Sequence, residues 1–347
     1  MIRPDRGFML FGLAANERSW RGVLMLIYVY IGALIFAAIF APWLYKLVWL
    51  WYEWAPNSLN EYLAYKGFED YFDRLRWIPV LLALPWMLSI CRMWPPWRLG
   101  LHFHWQGGRQ FRQWFLIGTA LTAFIALAQQ WYYEDSFQKS LNWLSISFLI
   151  LKSLTGGIIL GFLEEAVFRG LILRLFYTAV GPLGAILLCS LFFSYAHFKM
   201  PDHVWQDAFQ LTEEQKLQKL DDMGSNGQPP PDDKYRVTWW SGFFVAYWTL
   251  FGISEEFQLI AFLNYFFLGI VLAVLTLNTR SLMAAIGLHA GVVFAMLSYK
   301  RLVDISGDHL FWGGGLIVDG LGTLVLLIGL TFAIIFMPGK TPSGKDY

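Results

Sequence analysis

The chain has 347 residues, of which 57% are hydrophobic, 18% are aromatic and only 15% are charged. This composition excludes an ordinary soluble globular protein, and a formal net charge of +1 argues against a nucleic-acid partner. The two cysteines, Cys91 and Cys189, lie in or beside apolar runs, which argues against a disulfide framework or a cysteine-based zinc site. We therefore expect an integral membrane protein surrounded by the lipid bilayer.

The apolar segments predict an all-α, polytopic fold. A helix needs about 20 apolar residues to cross a hydrocarbon core about 30 Å thick. Candidate spans lie at 22–41, 77–94, 112–131, 156–178, 183–200, 238–254, 257–277, 281–299 and 312–337. Because 77–94 is broken by two prolines and 238–254 is short, we expect about eight transmembrane helices around a polar intramembrane cavity.

Two further apolar pieces, 43–52 and 141–155, are too short to cross the bilayer. We expect each of them to lie along the interface or to extend a neighbouring helix. The longest polar stretch, 201–237, is rich in Gly, Pro and charged residues and predicts an extramembrane loop with one short helix. The expected organisation is therefore N-terminal helices over 1–140, a central core over 141–300 and a last helix with a tail over 301–347.

The distribution of arginine predicts the orientation. The basic residues before the first span and in the second connection are Arg3, Arg6, Arg18, Arg21, Arg92, Arg98, Arg109 and Arg112. The first connection (53–76) and the 201–237 loop carry more acid than base. Since positive charge stays on the cytoplasmic side, the N-terminus is expected in the cytoplasm. This pattern favours a bacterial inner (plasma) membrane, with a eukaryotic internal membrane left open.

A polar cluster interrupts the fourth apolar segment, in the sequence GFLEEAVFRG. A carboxylate in a span costs about 3 kcal/mol on insertion scales, so such groups usually line a functional cavity. Glu165 and Arg169 are four residues apart, which places them on one helix face as an ion pair. Glu164 is turned about 100° away from Glu165 and needs another partner.

Chain geometry brings two histidines to the same depth. Gly181 and Pro182 predict a tight turn, so the flanking spans run antiparallel. Glu165 precedes Gly181 by 16 residues and His197 follows Pro182 by 15, which places both about 24 Å from the turn at about 1.5 Å per residue. After two more crossings, His289 returns to the same membrane face at a similar depth. We expect these groups to form one site.

The three motifs resemble those of the CAAX-protease and bacteriocin-processing (CPBP, or Abi) family of intramembrane endopeptidases. EEAVFR matches its EExxxR motif, FSYAH (193–197) matches FxxxH, and GLHAG around His289 matches the start of HxxxN/D. The resemblance covers roughly residues 150–297. It implies a fold like that of the CAAX prenyl endopeptidases and a membrane-anchored or lipidated protein as substrate.

The resemblance also implies roles for the site residues. Glu164 and His197 would activate a water that attacks the scissile carbonyl, and His289 would help to stabilise the oxyanion. Glu165, paired with Arg169, would shape the site or orient the substrate. The family's third motif ends in Asn or Asp, whereas this chain has Val293. A missing polar donor would have to be replaced, for example by Asn264 or Ser194.

A metal site is the principal alternative chemistry. Glu164, His197 and His289 would form a His₂-carboxylate zinc set with an open position. The chain has no HExxH motif, and we therefore favour a cofactor-free glutamate mechanism. Serine, aspartyl and cysteine protease chemistries lack their motifs in this sequence.

Other functions fit the same polar residues. The cluster could be a structural ion network, a proton relay in a proton-coupled transporter, or the remnant of a site in a non-catalytic scaffold or immunity protein. The absence of repeated halves weighs against a transporter, and Val293 favours the scaffold. We interpret the acidic triplet Ser254–Glu256 as a solvated loop and His102 and His104 as interfacial side chains.

Overall fold

A computed structural model describes residues 20–90, 105–133, 136–137, 142–198, 211–221, 230–253, 257–304, 310–314 and 319–336. Outside these ranges lie several residues that the sequence singles out, namely Arg3, Arg6, Arg18, Cys91, Arg92, Arg98, His102, His104 and the triplet 254–256. Apart from one pair of two-residue strands, the regular structure in the described ranges is helical, as the apolar segments predict.

The described residues form twelve α-helices and one π-helix. The helices of the first part of the chain are α1 (Arg21–Trp54), α2 (Ser58–Ala64), α3 (Phe68–Ile90), α4 (Trp105–Tyr133), α5 (Trp143–Glu165), the π-helix (Ala166–Ile172) and α6 (Leu173–His197). The later helices are α7 (Glu213–Asp221), α8 (Asp233–Arg236), α9 (Ser241–Phe251), α10 (Leu259–Thr279), α11 (Leu282–Leu302) and α12 (Leu321–Ile335). Strands β1 (Ser136–Phe137) and β2 (Val303–Asp304) pair antiparallel.

Five helical segments in the described residues are long and apolar enough to cross a membrane, namely Gly22–Trp54, Gln106–Tyr132, Trp143–His197, Leu259–Thr279 and Leu282–Leu302. The predicted number of about eight is therefore not confirmed. Helix α9 has only 11 residues and α12 has 15, which is shorter than a full crossing requires. Helix α3 contains Pro79 and Pro85, and its predicted span runs on to residue 94, beyond the described residues.

The two short apolar pieces extend neighbouring helices. Residues 43–52 form the C-terminal part of the 34-residue α1. Residues 143–155 form the first turns of α5. Asn142 caps the start of this helix, because its side chain accepts a hydrogen bond from the Ser145 N–H. The central segment therefore starts a dozen residues before the predicted span at 156–178.

The segment from Trp143 to His197 is a helical hairpin with its turn at Gly181. Gly181 has φ +82° and ψ 179°, a conformation that is open to glycine and strained for other residues. The two arms then run side by side, because the Cys189 thiol reaches the Phe168 carbonyl oxygen at 3.3 Å. The predicted antiparallel arrangement of these arms is confirmed.

The chain divides into two compact units. One unit comprises residues 24–87 and 198–256, and its core combines aliphatic and aromatic side chains, with Tyr45 in edge-on contact with Phe68 and Tyr71. In the same unit the Asp233 carboxylate accepts a hydrogen bond of 2.8 Å from the Phe68 N–H at the start of α3. The second unit, which contains 88–197 and 257–347, carries the polar cluster.

Glycines allow the helices of this second unit to pack closely. A Cβ added at Gly157 or Gly161 of α5 would lie about 2.9 Å from the α11 backbone at Ala290. A Cβ added at Gly291 of α11 would overlap the α4 backbone at Phe115. Such small-residue contacts are typical of helix pairs in membranes. They place α11 between α4 and α5, and His289 lies on this central helix.

Two amide side chains attach the segment before α12 to the same unit. The Gln129 amide of α4 donates to the Trp312 carbonyl oxygen at 2.6 Å. The Asn264 amide of α10 donates to the Gly320 carbonyl oxygen at 2.9 Å. These bonds satisfy backbone oxygens that would otherwise be costly to bury.

Candidate active site

The π-helix begins directly after the two glutamates of the EEAVFR sequence. Glu165 ends α5, and Arg169 lies within the wider π turns. Such turns are rare and are frequently found at functional sites. Both side chains are completely buried, and Arg169 Nη1 lies 2.7 Å from Glu165 Oε1. The structure therefore contains the ion pair that the spacing predicts.

Two further contacts hold the Arg169 guanidinium. Its Nη2 donates to the Gly269 carbonyl oxygen of α10 at 3.2 Å. The guanidinium carbon lies 4.4 Å from the centre of the Phe193 ring on α6. A buried cation needs several such partners to offset its loss of hydration. Arg169 thus joins the π-helix to α6 and α10.

Glu164 faces the two histidines, as its turn away from Glu165 predicts. Its Oε2 atom lies 4.0 Å from His197 Nε2 and 3.8 Å from His289 Nε2. This oxygen is buried and has no hydrogen-bond partner among the described residues. The Glu164 side chain as a whole is 23% exposed. A buried, unpaired carboxylate oxygen requires a partner such as an ordered water.

One edge of the His197 ring is bound by its own helix. Its Nδ1 lies 2.8 Å from the Phe193 carbonyl oxygen one turn earlier. Because a carbonyl oxygen can only accept, Nδ1 carries the proton and donates. The neutral ring then has its lone pair on Nε2, the atom that faces Glu164.

His289 is held by the second glutamate. Its Nδ1 lies 2.8 Å from Glu165 Oε1, the same oxygen that binds Arg169. The His289 side chain is 4% exposed. The Glu165 carboxylate accepts from this nitrogen and thereby fixes the orientation of the ring. The five predicted site residues thus lie together, on α5, the π-helix, α6 and α11.

Tyr265 is a site neighbour that the sequence motifs do not identify. Its ring stacks on the His197 imidazole, with ring centres 4.1 Å apart and planes inclined by 20°. It comes from α10, in the apolar sequence AFLNYFFLG, where nothing distinguishes it from the other aromatic residues. Only the packing of α10 against α6 shows its position.

The position of the missing Asn or Asp remains apolar. Val293 lies one turn after His289 and is buried. The two side chains considered as substitutes both donate to backbone carbonyl oxygens, Asn264 to Gly320 at 2.9 Å and Ser194 to Phe262 at 2.6 Å. Neither contact is with a residue of the Glu–His cluster.

The distances from Glu164 Oε2 to the Nε2 atoms of His197 and His289 can be compared with the spacing of ligands around a metal ion. Tetrahedral zinc with bonds of about 2.0–2.1 Å sets its ligand atoms about 3.4 Å apart. Glu164 Oε2 lies 4.0 Å and 3.8 Å from the two Nε2 atoms, so this arrangement is wider than a closed zinc site. Among the residues that the structure describes, no group of three or more His, Cys, Asp or Glu side chains has metal-binding geometry.

The structure defines a class of protein, namely an all-helical membrane protein with glutamates and histidines clustered between its helices. The family described as type II CAAX prenyl endopeptidase Rce1-like matches residues 143–295, which confirms the resemblance seen in the three motifs. Proteins of that family are generally proteases, and the match therefore supports a peptidase. No curated protein and no solved structure matches the chain significantly.

The matched segment contains every residue of the cluster. It begins with the first residue of α5 and ends within α11, six residues after His289. It also includes Tyr265. The helices α1 to α4 and the segment from 296 onward, including the turn held by Gln129 and Asn264, lie outside the match.

Proposed function

We propose that this chain is an intramembrane endopeptidase that hydrolyses a peptide bond of a membrane-associated or lipidated protein by a water activated by Glu164 and His197. The observation that carries this proposal is the buried and unpaired Glu164 Oε2, which lies within 4.0 Å of His197 Nε2. A peptidase is also what the family match supports.

The distance between these two atoms suits a bridging water. At 4.0 Å it is too long for a direct hydrogen bond. Two acceptors that share one water through hydrogen bonds of about 2.8 Å lie about 4–5 Å apart. Since Glu164 Oε2 and His197 Nε2 both accept, they would bind one water through its two hydrogens. Its oxygen lone pairs would then point away from both groups, toward a substrate carbonyl.

The reaction then follows general acid–base chemistry. Glu164 removes a proton as the water oxygen forms a bond to the carbonyl carbon, and the carbonyl oxygen becomes an oxyanion. The C–N bond breaks as the proton held by Glu164 passes to the leaving nitrogen. The second proton of the water stays on the new carboxyl group and passes to solvent when that group ionises. Water and a peptide bond are consumed, and no oxidant or cofactor is required.

His289 is suited to stabilise the oxyanion. Its Nδ1 donates to Glu165 at 2.8 Å, so a protonated ring would offer its Nε2–H to a developing negative charge. In a water-poor site one such donor contributes about 3–4 kcal/mol to transition-state stabilisation. Glu165 and Arg169 would then act by orienting this ring. Val293 offers no hydrogen-bond donor at the position where the family has Asn or Asp. His289 would therefore supply a larger share of the oxyanion stabilisation.

The substrate class follows from the setting of the site. Glu164 and His197 are each about a quarter exposed, on helices whose outer surfaces are apolar. A peptide reaches such a site most readily when a lipid or transmembrane anchor already holds it at the bilayer. The matched family's description names a CAAX prenyl endopeptidase, which favours a prenylated peptide.

Cleavage of membrane-tethered peptides by detergent-purified protein tests this proposal. The panel contains prenylated, acylated and transmembrane-anchored peptides, each with and without its anchor. We expect wild type to cleave an anchored peptide, and Glu164→Ala and His197→Ala to abolish cleavage, with a chelator having no effect. Cleavage that a chelator stops and zinc restores would replace the metal-free mechanism.

A non-catalytic membrane scaffold is the second candidate, and Val293 is the observation that favours it. Substituting Val293→Asn tests this reading directly. If only the Val293→Asn variant cleaves the peptide panel, the natural chain has lost turnover while keeping the pocket. If wild type cleaves as well as the variant does, the scaffold reading is wrong.

A further inference from the structure

We propose that Tyr265, which lies outside the three motifs, is a positioning residue that holds the His197 imidazole in the orientation in which Nε2 faces Glu164. This inference rests on the proposed peptidase function, because it assigns a role relative to the water-activating pair. It concerns the aromatic ring of Tyr265 rather than its hydroxyl group.

The position of His197 at the end of its helix makes an orienting contact necessary. His197 is the last residue of α6, and its side chain is 24% exposed. The terminal torsion of histidine is broad and roughly two-fold, so the ring can rotate at little cost. A half-turn would carry Nε2 away from Glu164 and would put carbon where nitrogen is required. The helix itself therefore leaves the catalytic orientation only partly determined.

Three contacts together remove this freedom. The hydrogen bond from Nδ1 to the Phe193 carbonyl oxygen, 2.8 Å long, fixes one edge of the ring. The Phe193 ring lies against the imidazole at a tilt, with centres 4.6 Å apart. The Tyr265 ring lies nearly parallel to it, with centres 4.1 Å apart and planes inclined by 20°. A nearly parallel ring resists rotation of the imidazole out of its plane, because rotation would drive the imidazole into the tyrosine face.

The helix that carries Tyr265 is itself anchored to α6 beside the stacked rings. The Ser194 hydroxyl donates to the Phe262 carbonyl oxygen at 2.6 Å. Ser194 precedes His197 by three residues, and Phe262 precedes Tyr265 by three residues. Farther along, a Cβ added at Gly269 would lie 2.9 Å from Ser190, so the two helices are in close contact there as well. The contacts between α6 and α10 therefore hold the Tyr265 ring in place against the imidazole.

The ring that orients His197 has to come from a second helix. Phe193 belongs to α6 and moves with His197, whereas Tyr265 belongs to a different helix. Only a ring from a second helix can fix the imidazole relative to the rest of the site. Misplacement of a catalytic group by about 1 Å can lower the rate about 10²-fold. Loss of the Tyr265 ring should therefore reduce turnover far more than substrate binding.

Three single variants separate the ring from the hydroxyl and from general packing. Tyr265→Leu removes the stacked ring, Tyr265→Phe keeps it, and Phe266→Leu removes a neighbouring ring of α10 that contacts Phe267. We expect Tyr265→Leu to lower kcat by about 10- to 100-fold with KM changed less than about threefold. Tyr265→Phe should restore most of the wild-type kcat, and Phe266→Leu should retain it. Thermal unfolding in detergent is measured for each variant.

A second measurement does not depend on cleavage. Carbethoxylation of imidazole nitrogen is followed by mass spectrometry of the peptide that contains His197, with His289 in the same protein as the internal reference. The rate at His197 should rise several-fold in Tyr265→Leu and stay unchanged in Tyr265→Phe and Phe266→Leu. If wild type cleaves no peptide, the proposed function fails while this rate still tests the stack.

Several outcomes would overturn the proposal. Wild-type kcat in Tyr265→Leu, or an unchanged modification rate at His197, would show that the stack does not orient the ring. A loss in Tyr265→Phe equal to that in Tyr265→Leu would assign the function to the hydroxyl. An equal loss in Phe266→Leu would reduce the effect to packing of α10.

Discussion

Glu164 and Glu165 are adjacent in the chain and have different chemical surroundings. Glu165 is fully buried, and its Oε1 atom binds both Arg169 and His289. Glu164 is partly exposed and lies near two imidazole nitrogens without a direct hydrogen bond to either. One carboxylate is thus suited to a structural and orienting role and the other to proton transfer.

Glu164→Gln should abolish peptide cleavage while the protein still folds. The amide keeps the size of the side chain but cannot take a proton from water, and loss of a general base lowers rates about 10²–10⁴-fold. Cleavage of an anchored peptide and the unfolding temperature are compared with those of wild type. Glu214→Gln on the exposed face of α7 is the matched control and should retain activity. Activity in Glu164→Gln above about a tenth of wild type would remove Glu164 from this role.

Arg169→Met should destabilise the protein severely, because it leaves the Glu165 carboxylate buried without its cation. Breaking a buried ion pair on one side costs about 3–5 kcal/mol. The double variant Glu165→Gln/Arg169→Met should recover part of this stability and still fail to cleave, since His289 loses its charged partner. Unfolding in detergent and peptide cleavage are measured in parallel. Equal stability of the single and double variants would contradict the coupling.

At the scale of the elements, two departures from an ordinary α-helix shape the site. The π-helix at Ala166–Ile172 widens the chain where Arg169 must reach Glu165, Phe193 and Gly269. The turn at Gly181 then reverses the chain so that His197 returns to the level of Glu164. Helix α11 adds His289 from a third direction through close contacts with α4 and α5.

Gly291→Ala should lower both stability and activity. A Cβ at this position would overlap the Phe115 backbone and lie 2.9 Å from the Thr119 nitrogen, so α11 would have to move away from α4. Overpacking of this kind costs about 1–3 kcal/mol, and the movement would displace His289. Gly329→Ala on α12 is the matched control, because nothing lies within 4 Å of its added Cβ. The two variants are compared by thermal unfolding and by kcat, and equal behaviour would contradict the packing argument.

At the scale of the whole molecule, one compact unit contains the complete cluster. All six side chains of the site, Tyr265 included, belong to the unit that combines 88–197 with 257–347. The other unit has its own core of aliphatic and aromatic side chains. The residues of the site therefore come from two separate stretches of chain, 164–197 and 265–289.

The arginine distribution predicts the topology of the whole chain in its membrane. Single cysteines are introduced by Ser58→Cys, Gln218→Cys and Arg109→Cys after replacement of Cys91 and Cys189 by alanine, and all three positions are exposed. In intact cells an impermeant maleimide should label the first two positions. It should label the third only after permeabilisation, because the arginine-rich connection is expected in the cytoplasm. Labelling of all three in intact cells would contradict the predicted orientation.

Features that depend on local spacing can be predicted from the sequence. Apolar runs specify helices in a bilayer because no other open structure satisfies the backbone there. The interval of four residues specifies the Glu165–Arg169 pair, and Gly181 with Pro182 specifies the hairpin. The count of residues from that turn was enough to bring Glu164 and His197 to one level, since the rise of a helix is constant.

Features that depend on the rotation of one helix relative to another are seen only in the packed structure. The bond of His289 to Glu165, the stacking of Tyr265 on His197 and the contact of α11 with α4 all join residues far apart in the chain. The depth of a residue in the bilayer follows from counting residues along its helix. The direction in which its side chain faces follows from side-chain packing and from the π-helix, which rotates the following residues about the helix axis. The motifs therefore predicted which residues meet, and the packing of the helices decided which atoms face each other.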